Sequence, residues 1–514
     1  MSFSKVYSGA VIGLEAYLVE VEINIDYHGF PGFTIVGLAS KEVDEAKERV
    51  RSAIKNSGFQ FPNRRITVNM APADLPKRGS LYDLPIAIGI LSACGFIETN
   101  LSDFFIMGEL SLNGGVNKIN GAIPLALFGK KHFKSVFLPI DNSSEVAFIP
   151  NIDARPVSKL TDIVNHISGE DLIEKVRLKK ISDIVETKNT FDFRNDFKYI
   201  KGQTHAKRAL EIAAAGGHNI SLIGPPGVGK TMLSKALVTI LPKLQSNEAL
   251  EVTKIYSIAG LLKKSQPFIT KRQFRSPHHS TSKAGLLGGG SPIAPGEISL
   301  AHNGVLFLDE FPELGRELIE ALRQPIENGE IIISRAVGSI VFPCNFMLVI
   351  ASNPCPCGNL GNPQKECKCK KSRIDSYQDK LSGPIIDRID LHVVCGAIEM
   401  REFDEKNKIE EESSATIYER VQKARDIQYK RYIKFSNINC NADINPESID
   451  RYCKLGAQER ALMNKAGNLL KLSARGYHKV LKVARTIADL ANEKDLKVTH
   501  LSEALQYRFA GFKD

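Results

Sequence analysis

The sequence predicts an α/β protein that ends in a helical region. Short apolar runs alternate with helical patterns over residues 1–170, and the same alternation returns over residues 197–397. A glycine-rich loop in the second block stands between an apolar run and a helical stretch, as it does in proteins with a parallel sheet. Residues 398–514 have a helical pattern almost throughout. The length of 514 residues fits roughly three domains.

The composition is that of a globular protein with a mild basic excess. The formal net charge is +10 and the isoelectric point about 9.0, which permits a polyanionic partner without requiring one. The longest apolar stretch, residues 84–97, is too short to span a bilayer, and the amino terminus lacks a signal-peptide layout. Nine cysteines in so long a chain do not make a disulfide framework. We therefore expect a cytoplasmic protein with no membrane partner.

The elements of the first block can be read from their patterns. Apolar and alternating runs predict strands at residues 6–13, 17–25, 33–38 and 64–72. A helix is predicted at residues 41–58, closed by Gly58. Residues 171–196 become highly charged, which predicts a linker between the first and second blocks.

The sharpest motif is a glycine-rich loop of the GxxxxGK[ST] type. An apolar strand, residues 219–223, precedes it, and a helical pattern follows it. Such a loop aims backbone N–H groups at phosphates, and the helix N-terminus adds a positive dipole. Lys230 is expected to reach the β- and γ-phosphates of ATP, and the Thr231 hydroxyl to hold Mg²⁺. The predicted cofactor-binding residues of the loop are Gly224, Pro225, Pro226, Gly227, Val228, Gly229, Lys230 and Thr231.

Two later apolar strands end in polar residues. Residues 304–308 lead into Asp309 and Glu310. Asp309 is predicted to coordinate the Mg²⁺, and Glu310 to polarise the attacking water. Residues 346–352 lead into Asn353, which in one interpretation orients water against the γ-phosphate and in the other is a simple turn residue.

Two arginines complete the candidate catalytic set. Arg388 lies in SGPIIDRIDL, and Arg475 lies in LSARGYHKV at the start of a helical pattern. Arginine suits phosphate because its planar guanidinium stays charged and offers two parallel hydrogen bonds. The alternative for each is a surface salt bridge, for example between Arg388 and Asp387 or Asp390.

Together these motifs resemble the Mg-chelatase-like AAA+ ATPases of the YifB/ComM type. GPPGVGKT, GVLFLDE, the strand ending in SNPC, SGPIIDRIDL and LSARGYHKVLKVARTIADL stand in the family's order, and PADLPKRGSLYDLPIAIGIL extends the resemblance towards the amino terminus. The resemblance implies a Lon-protease-like α/β domain at residues 1–170, a charged linker at 171–196, an AAA+ core with a parallel sheet at 197–397 and a helical lid at 398–514.

The resemblance also implies roles for single residues. Asn353 corresponds to sensor 1, and Arg475 to sensor 2, with Arg485 as a weaker rival. Arg388 corresponds to an arginine finger that acts on the ATP of a neighbouring subunit. Gln203 resembles the residue of the preceding helix that packs against adenine. Because such a finger acts only across a subunit interface, a ring, most simply a hexamer, is implied.

The function implied by the resemblance is an ATP-driven DNA motor. In the competence-linked family it migrates branches of joint DNA molecules during recombination of incoming DNA in natural transformation. One alternative is the motor subunit of a magnesium chelatase, which serves tetrapyrrole metallation. A second alternative is an ATP-dependent Lon-like protease.

The protease alternative lacks its Ser–Lys dyad. Alignment with the Lon-like fold places Leu81 or Asp83 where the nucleophilic serine belongs, and Ile123 or Pro124 where the lysine belongs. The nearby residues Ser80 and Lys118 are out of register. The first domain is therefore expected to be a structural or DNA-contacting platform.

Two segments are candidate DNA contacts. Residues 261–283 hold six Lys/Arg with no Asp/Glu, together with two Phe and two His, a pattern that suits phosphates and stacked bases. Its candidate contacts are Lys271, Arg272 and Arg275, and the alternative is a solvated loop. Residues 328–345 alternate like a hairpin, and in the family such a hairpin points into the pore, which would place Arg335 near DNA. A plain structural hairpin is the alternative.

Four cysteines follow Asn353 within a short loop. They are Cys355, Cys357, Cys367 and Cys369. Four thiolates can hold Zn²⁺ in a tetrahedral structural site, although the C-x-C spacing is less usual than C-x-x-C. The alternative is a cysteine-bearing loop whose basic residues contact solvent or DNA.

Overall fold

The computed structural model describes residues 2–508 with internal gaps. The residues outside the description are 1, 28–29, 38–40, 180–194, 291–292, 336–337, 362–364, 382–384, 397–410, 436–437 and 509–514. The remainder forms an amino-terminal α/β part, an α/β core with a parallel sheet and a set of carboxyl-terminal helices, which confirms the predicted fold class. Most of the predicted linker, residues 171–196, lies outside the described residues.

The amino-terminal part is built on a mixed seven-stranded sheet in the order β3-β4-β2-β1-β5-β8-β9. Its strands, with a separate two-stranded hairpin of β6 and β7, are β1 (Ser2–Ile12), β2 (Glu15–Asp26), β3 (Gly32–Val36), β4 (Arg65–Ala71), β5 (Phe104–Ile106), β6 (Glu109–Leu110), β7 (Val116–Asn117), β8 (Ser135–Pro139) and β9 (Ala154–Val157). Its helices are α1 (Lys41–Asp44), α2 (Ala46–Asn56), α3 (Asp83–Ala93), α4 (Ala122–His132), α5 (Ser143–Val146) and α6 (Leu160–Ser168).

The predicted strands of this part are all present, and the predicted helix 41–58 is divided at Glu45 into α1 and α2. Alternate residues of β2 are buried, as the period of two requires for a sheet with one face on the core. The apolar run 84–97 forms α3, which is buried on nearly all sides. Gly89 permits this burial because a Cβ at that position would lie 2.1 Å from Cδ1 of Ile23.

The core is a five-stranded parallel sheet in the order β11-β14-β17-β10-β18. Its strands, with the small pairs β12–β13 and β15–β16, are β10 (Ile220–Ile223), β11 (Phe274–Arg275), β12 (Gly288–Gly289), β13 (Ala294–Pro295), β14 (Val305–Leu308), β15 (Glu330–Arg335), β16 (Gly338–Pro343), β17 (Met347–Ser352) and β18 (Leu391–Val394). Its helices are α7 (Thr204–Gly216), α8 (Lys230–Ile240), α9 (Ser246–Ile258), α10 (Lys283–Leu287), α11 (Glu297–Leu300), α12 (Arg316–Ala321), α13 (Arg323–Asn328) and α14 (Lys371–Leu381).

The topology of the sheet positions the site. β10, β14 and β17 are buried at every residue, as is usual for parallel strands covered on both faces. β10 lies between β17 and β18, so the residues that follow these strands meet at one edge of the sheet. Open α/β sheets bind ligands at this carboxyl edge, where the strand order reverses.

The carboxyl-terminal helices share the hydrophobic core of the sheet. They are α15 (Ser414–Tyr432), α16 (Pro446–Tyr452), α17 (Ala457–Leu469), α18 (Ala474–Leu490) and α19 (Val498–Gln506). Leu233 of α8, Val421 of α15 and Val480 of α18 belong to one buried cluster, which ties the helices firmly to the core with the parallel sheet. Across the described ranges, every helix is either too short or too polar to cross a lipid bilayer.

The amino-terminal part packs on the core through α9. The N–H of Gly121, just before α4, donates to the carbonyl of Ser257 at 3.0 Å. Lys118 reaches across to the carbonyl of Leu262 at 3.2 Å and forms an ion pair with Glu145 at 2.8 Å. A cluster of buried side chains, among them Leu125 and Ile255, fills this interface.

Candidate active site

The glycine-rich loop connects β10 to α8 at the carboxyl edge of the sheet. Gly227 and Gly229 have φ of +85° and +87°, in the left-handed region that favours glycine. Gly229 caps α8, whose first residue is Lys230. The loop and the first turn of the helix therefore provide the backbone geometry of a phosphate site.

Lys230 lies over the loop that it follows. Its ammonium group donates to the carbonyls of Gly224 at 2.6 Å and Pro225 at 2.9 Å, and to Oδ1 of Asn353 at 3.0 Å. Burial lowers the pKa of Lys230 from its ordinary value. The bond to Asn353 brings two sequence-predicted residues together at the point where the strand β17 ends.

The donors expected for Mg²⁺ lie side by side. The hydroxyl of Thr231 donates to Oδ2 of Asp309 at 2.9 Å. A hydroxyl and a carboxylate at this separation are hard oxygen ligands of the kind that Mg²⁺ prefers, and Mg²⁺ takes its remaining ligands from phosphates and water. The residues present therefore fit a magnesium nucleotide.

Glu310 has an unusual backbone conformation. Its φ of +48° is rare for a residue with a side chain, and its N–H donates to Oδ1 of Asp309 at 3.0 Å. Its carboxylate Oε2 lies 3.9 Å from Nδ1 of His279. The sequence argument did not assign His279 to this site, although the residues after the parallel strands β11 and β14 must meet at the same edge.

Gln203 also lies at this edge. It has a φ of +53° immediately before α7, and its side-chain amide donates to the carbonyl of Gly396 at 2.7 Å. Gly396 follows β18, the neighbour of the loop-bearing strand. The contact with adenine remains a prediction.

Arg388 and Arg475 lie at the opposite edge of the sheet. Arg388 belongs to a short 3₁₀ turn that ends just before β18 begins, whereas the glycine-rich loop follows the end of β10. Both guanidinium groups donate to Oε1 of Glu327, Arg475 at 3.2 Å. Strands of four residues are roughly 13 Å long, so the sheet separates this pair from the chain's own phosphate loop.

The two arginines line a cavity of about 440 Å³ whose walls carry charges of both signs. Its other charged lining residues are Lys479, Lys482, Glu327, Asp390 and Asp443. The rival residue Arg485 does not reach this cavity. It is buried and donates to the carbonyls of Glu493 at 2.5 Å and Lys494 at 2.6 Å, so its guanidinium holds the end of its own helix.

A buried ion pair fixes α18 against the sheet. Nζ of Lys479 lies 2.9 Å from Oδ1 of Asp390, and the N–H of Asn219 donates to the other oxygen at 3.1 Å. Burial alone would raise the pKa of Asp390, but the Lys479 ammonium and the nearby His218 outweigh it and hold the pKa well below its usual range. Arg475 lies one turn earlier on α18, so this pair positions it beside Arg388.

The four cysteines of the loop after Asn353 converge. Their sulfur atoms all lie within 4.8 Å of one another, and Sγ of Cys355 is 3.4 Å from that of Cys357 and 3.7 Å from that of Cys367. A tetrahedral zinc site with Zn–S bonds of about 2.3 Å places its sulfurs about 3.8 Å apart. The arrangement is compatible with the predicted Zn²⁺ site.

The structure gives internal partners to two of the candidate DNA contacts, whose contact with DNA stays a prediction. Arg272 is largely buried and donates to the carbonyls of Pro242 at 2.9 Å and Asn303 at 2.7 Å and to Glu248 at 2.8 Å. Arg275 forms a two-bond ion pair with Glu297, at 2.7 and 2.6 Å. Their guanidinium groups are held by internal acceptors, so their role in the described structure is to hold the fold together.

The other two candidates remain predictions. Lys271 is exposed. Arg335 ends β15 in the predicted hairpin of β15 and β16, where it pairs with Gly338, and its side chain lies outside the described residues. The hairpin itself is confirmed.

The residues near the Lon-like dyad have other partners. Ser80 donates to Glu109, while Lys118 forms an ion pair with Glu145 of the same amino-terminal part. Asp83 is buried and bound by Arg49 through bonds of 2.6 and 3.1 Å. The remaining aligned positions are apolar, namely a partly buried Leu81 and the buried Ile123 and Pro124.

Three family models match successive parts of the chain. Residues 196–403 match the family of magnesium chelatase, subunit ChlI. Residues 19–142 match the family of subunit ChlI of Mg-chelatase, and residues 411–508 match the carboxyl-terminal family of the same subunit.

Several proteins are similar over the full chain. Competence protein ComM of Haemophilus influenzae is 43% identical over 513 residues, which cover 99% of this chain and 98% of that protein. Uncharacterized protein YifB of Escherichia coli K12 is 41% identical over 510 residues, 99% of this chain and 97% of that protein. The magnesium-chelatase 38 kDa subunit of Cereibacter sphaeroides is 25% identical over 174 residues, 31% of this chain and 52% of that protein.

Proposed function

The chain belongs to the ComM/YifB family of magnesium-chelatase-like ATPases, and on this premise we propose that it is an ATP-driven DNA motor. The proposed motor is a hexameric branch-migration helicase that acts in the cytoplasm on recombining DNA taken up during natural transformation. One observation supports the proposal most directly. The groups proposed to contact phosphate lie at two opposite edges of one sheet, with the glycine-rich loop at the carboxyl edge and the two arginines at the amino edge.

At the carboxyl edge, Lys230, Thr231 and Asp309 would hold the magnesium nucleotide. The loop backbone and Lys230 bind the phosphates, while Thr231 and Asp309 provide oxygen ligands. Bound Mg²⁺ would neutralise phosphate charge. Glu310 accepts the proton of the attacking water, and Asn353 orients that water while holding the Lys230 ammonium group in place.

At the amino edge, Arg388 and Arg475 would act on the nucleotide of a neighbouring subunit. Two guanidinium groups that line one cavity suit the charge that develops on a transferred phosphoryl group. Their own glycine-rich loop lies on the far side of the sheet. A subunit therefore needs a neighbour on each side, and this requirement supports a closed ring.

The DNA part of the proposal rests on three supports. The relative from Haemophilus influenzae is named a competence protein. The chain has a formal net charge of +10, which favours a polyanion. Lys271 is exposed, and β15 and β16 form a two-stranded hairpin with Arg335 at its tip. We extend the cofactor proposal to one Zn²⁺ in the four-cysteine cluster.

A magnesium-chelatase motor subunit is the second candidate function. It is favoured by the three family matches and by the partial similarity to a magnesium-chelatase subunit. A Lon-like protease is disfavoured, because the aligned dyad positions hold Leu81 or Asp83 and Ile123 or Pro124 in place of serine and lysine.

ATPase assays on the purified full chain separate these functions. The protein is assayed alone, with forked DNA, with porphyrin precursors and Mg²⁺, and with casein. We expect forked DNA to stimulate ATP hydrolysis and casein to remain intact. Stimulation by porphyrin substrates alone would favour the chelatase function, and casein cleavage would favour the protease.

A further inference from the structure

The four-cysteine cluster lies directly beside the nucleotide site in the fold. Asn353, which accepts a hydrogen bond from Lys230, is only two residues before Cys355. The other end of the loop leads into α14, which begins at Lys371, two residues after Cys369. An ion bound to all four sulfurs would therefore join the end of β17 to the beginning of α14.

The cysteine loop also contacts the glycine-rich loop. Gly358 follows Cys357 with a φ of +77°, and a Cβ at that position would lie 2.5 Å from Cδ of Pro226. Only a residue without a side chain allows this approach, since real Cβ atoms essentially never come so close. The backbone of the cysteine loop thus lies against a residue of the phosphate-binding loop.

α14 holds the other side of the same segment. The amide of Gln378 donates to the carbonyl of Pro354 at 3.2 Å, and the hydroxyl of Tyr377 is hydrogen-bonded to the backbone of Asn353. Within the cysteine loop, the N–H of Leu360 donates to Sγ of Cys355 at 3.3 Å. Asn353 is therefore held from two directions, by α14 and by the loop that the four sulfurs close.

We propose that a Zn²⁺ ion bound by the four cysteines is a positioning element of the ATP site. It holds the cysteine loop against Pro226 and keeps Asn353 beside Lys230, so that affinity for ATP depends on the ion. Four thiolates select a soft divalent cation, and structural zinc sites contribute directly to the local folding energy. The inference rests on the proposed ATP site and adds a second metal to it, distinct from the Mg²⁺ at Thr231 and Asp309.

The first experiment compares zinc content with nucleotide binding in the full-length protein. Wild type purified without chelator should carry about one zinc per chain by elemental analysis. The Cys357→Ser/Cys369→Ser double variant should lose the zinc and bind a fluorescent ATP analogue at least about fivefold more weakly. Cys94→Ser, in the amino-terminal part, is the matched control and should retain both properties. A zinc-selective chelator should weaken wild-type binding, and added Zn²⁺ should restore it, with Mg²⁺ present throughout.

A pair of glycine variants tests the contact without touching a ligand. Gly358→Ala places a Cβ against Pro226 and should keep the zinc while weakening binding of the ATP analogue. Gly361→Ala is the matched control, because its φ of +73° imposes similar backbone strain but no atom lies within 4 Å of its Cβ position. It should bind both zinc and the analogue like wild type. This pair remains informative even if the double cysteine variant does not fold.

The outcomes distinguish the inference from the function on which it rests. Zinc-free protein that binds the analogue as tightly as zinc-loaded protein would overturn the inference and leave the ATP site intact. Iron in place of zinc, or no metal in freshly purified protein, would also overturn it. A wild-type chain that carries zinc but binds no ATP analogue would overturn the proposed function, and this inference with it.

Discussion

Arg388 and Arg475 donate to the same carboxylate oxygen, Oε1 of Glu327. The two arginines come from different parts of the chain, one from the turn before β18 and the other from the first turn of α18. Glu327 lies near the end of α13, the helix that leads into the hairpin of β15 and β16. One carboxylate next to the hairpin proposed to contact DNA thus offsets half of the charge of the arginine pair within one subunit.

The nucleotide site predicts opposite effects of two substitutions. Lys230→Ala should abolish ATP binding and turnover, because it removes a phosphate contact. Glu310→Gln should retain ATP and lose turnover by about 100-fold or more, because the base is lost while Thr231 and Asp309 still provide the magnesium ligands. Binding of a fluorescent ATP analogue and phosphate release measure the two effects. Lys235→Ala, exposed on the same helix, is the control and should leave both unchanged. Normal turnover in Lys230→Ala would refute the site.

Arg388→Ala should lose ATP turnover but keep ATP binding, because the guanidinium acts on the neighbour's nucleotide. Mixing this variant with Lys230→Ala protein should restore part of the activity, since a mixed ring contains interfaces with both an intact loop and an intact finger. Arg316→Ala, exposed on α12, is the control. Steady-state phosphate release across mixing ratios measures the rescue. If the mixtures were no more active than the two inactive proteins measured separately, Arg388 would not act across an interface.

Glu327→Gln should lower the protein concentration at which ATPase activity is half-maximal. The carboxylate competes with the neighbour's phosphates for the two guanidinium groups, and the amide removes the charge while keeping an oxygen acceptor. Phosphate release measured over a dilution series gives this concentration for each protein. Glu313→Gln, near the candidate site but outside the arginine pair, is the control. A shift to higher concentration would show that Glu327 holds the arginines in their working position instead of competing for them.

The structure of the motifs proposed to bind phosphate was predictable, because each motif is defined by a few adjacent residues. A strand, a glycine-rich loop and a helix start fix the backbone around Lys230, and the carboxyl ends of parallel strands bring Asp309 and Asn353 to it. Glu327 was not predictable, because an acidic residue near a helix end has no distinguishing pattern. The position of His279 was not predictable either, because it follows a strand of only two residues, which is too short to show the alternating pattern of a strand.

Burial explains two features that the sequence pattern did not reveal. Arg272 stands in a basic segment that resembles an exposed loop, but the acceptors that bury it come from Pro242, Asn303 and Glu248. A local pattern contains no information about such distant partners. The apolar run of α3 similarly shows no clear alternation of apolar and polar residues with the helical period, because the helix is covered on nearly all sides.

The buried pair of Lys479 and Asp390 predicts a pH-dependent loss of stability. Lys479→Ala should lower the melting temperature by about 6 °C or more, because it leaves a buried carboxylate without its main partner. The folded-state pKa of Asp390 is depressed, so its stabilisation is fully present above the unfolded value of about 3.9 and is lost as the pH falls below it. The difference between wild type and variant should be constant from pH 8 to about 5 and shrink below about 4.

The exposed pair of Lys134 and Asp103 provides the control for this measurement. Lys134→Ala should change the melting temperature by about 1 °C or less, because solvated ion pairs contribute little. Thermal unfolding followed by circular dichroism measures both variants over the pH series. An equal effect of the two substitutions would show that the Asp390 pair does not anchor α18.

DNA translocation is the prediction on which the proposed function depends. Phosphate contacts predict DNA binding that weakens steeply with salt and depends little on base sequence. The slope of the logarithm of the binding constant against the logarithm of the salt concentration should fall in magnitude by about 1 for each contact removed. Lys271→Ala and Arg335→Ala together should therefore weaken binding to branched DNA and reduce that slope by about 2. Basal ATPase should stay near the wild-type rate, because neither residue belongs to the nucleotide site. The double variant Arg460→Ala/Lys465→Ala, at two exposed positions of α17, is the charge-matched control.

The same experiment distinguishes DNA binding from DNA translocation. A Holliday-junction-like substrate should be resolved into two duplexes only while ATP is hydrolysed, and Arg335→Ala alone should hydrolyse ATP without resolving it if the hairpin contacts the moving strand. Arg272 and Arg275 are unsuitable for this test, because their internal partners would make a loss of DNA binding indistinguishable from a loss of folding. The helicase function would be excluded if DNA did not change the ATPase rate and junctions stayed intact at low salt. The magnesium-chelatase motor would then be the remaining function consistent with the family.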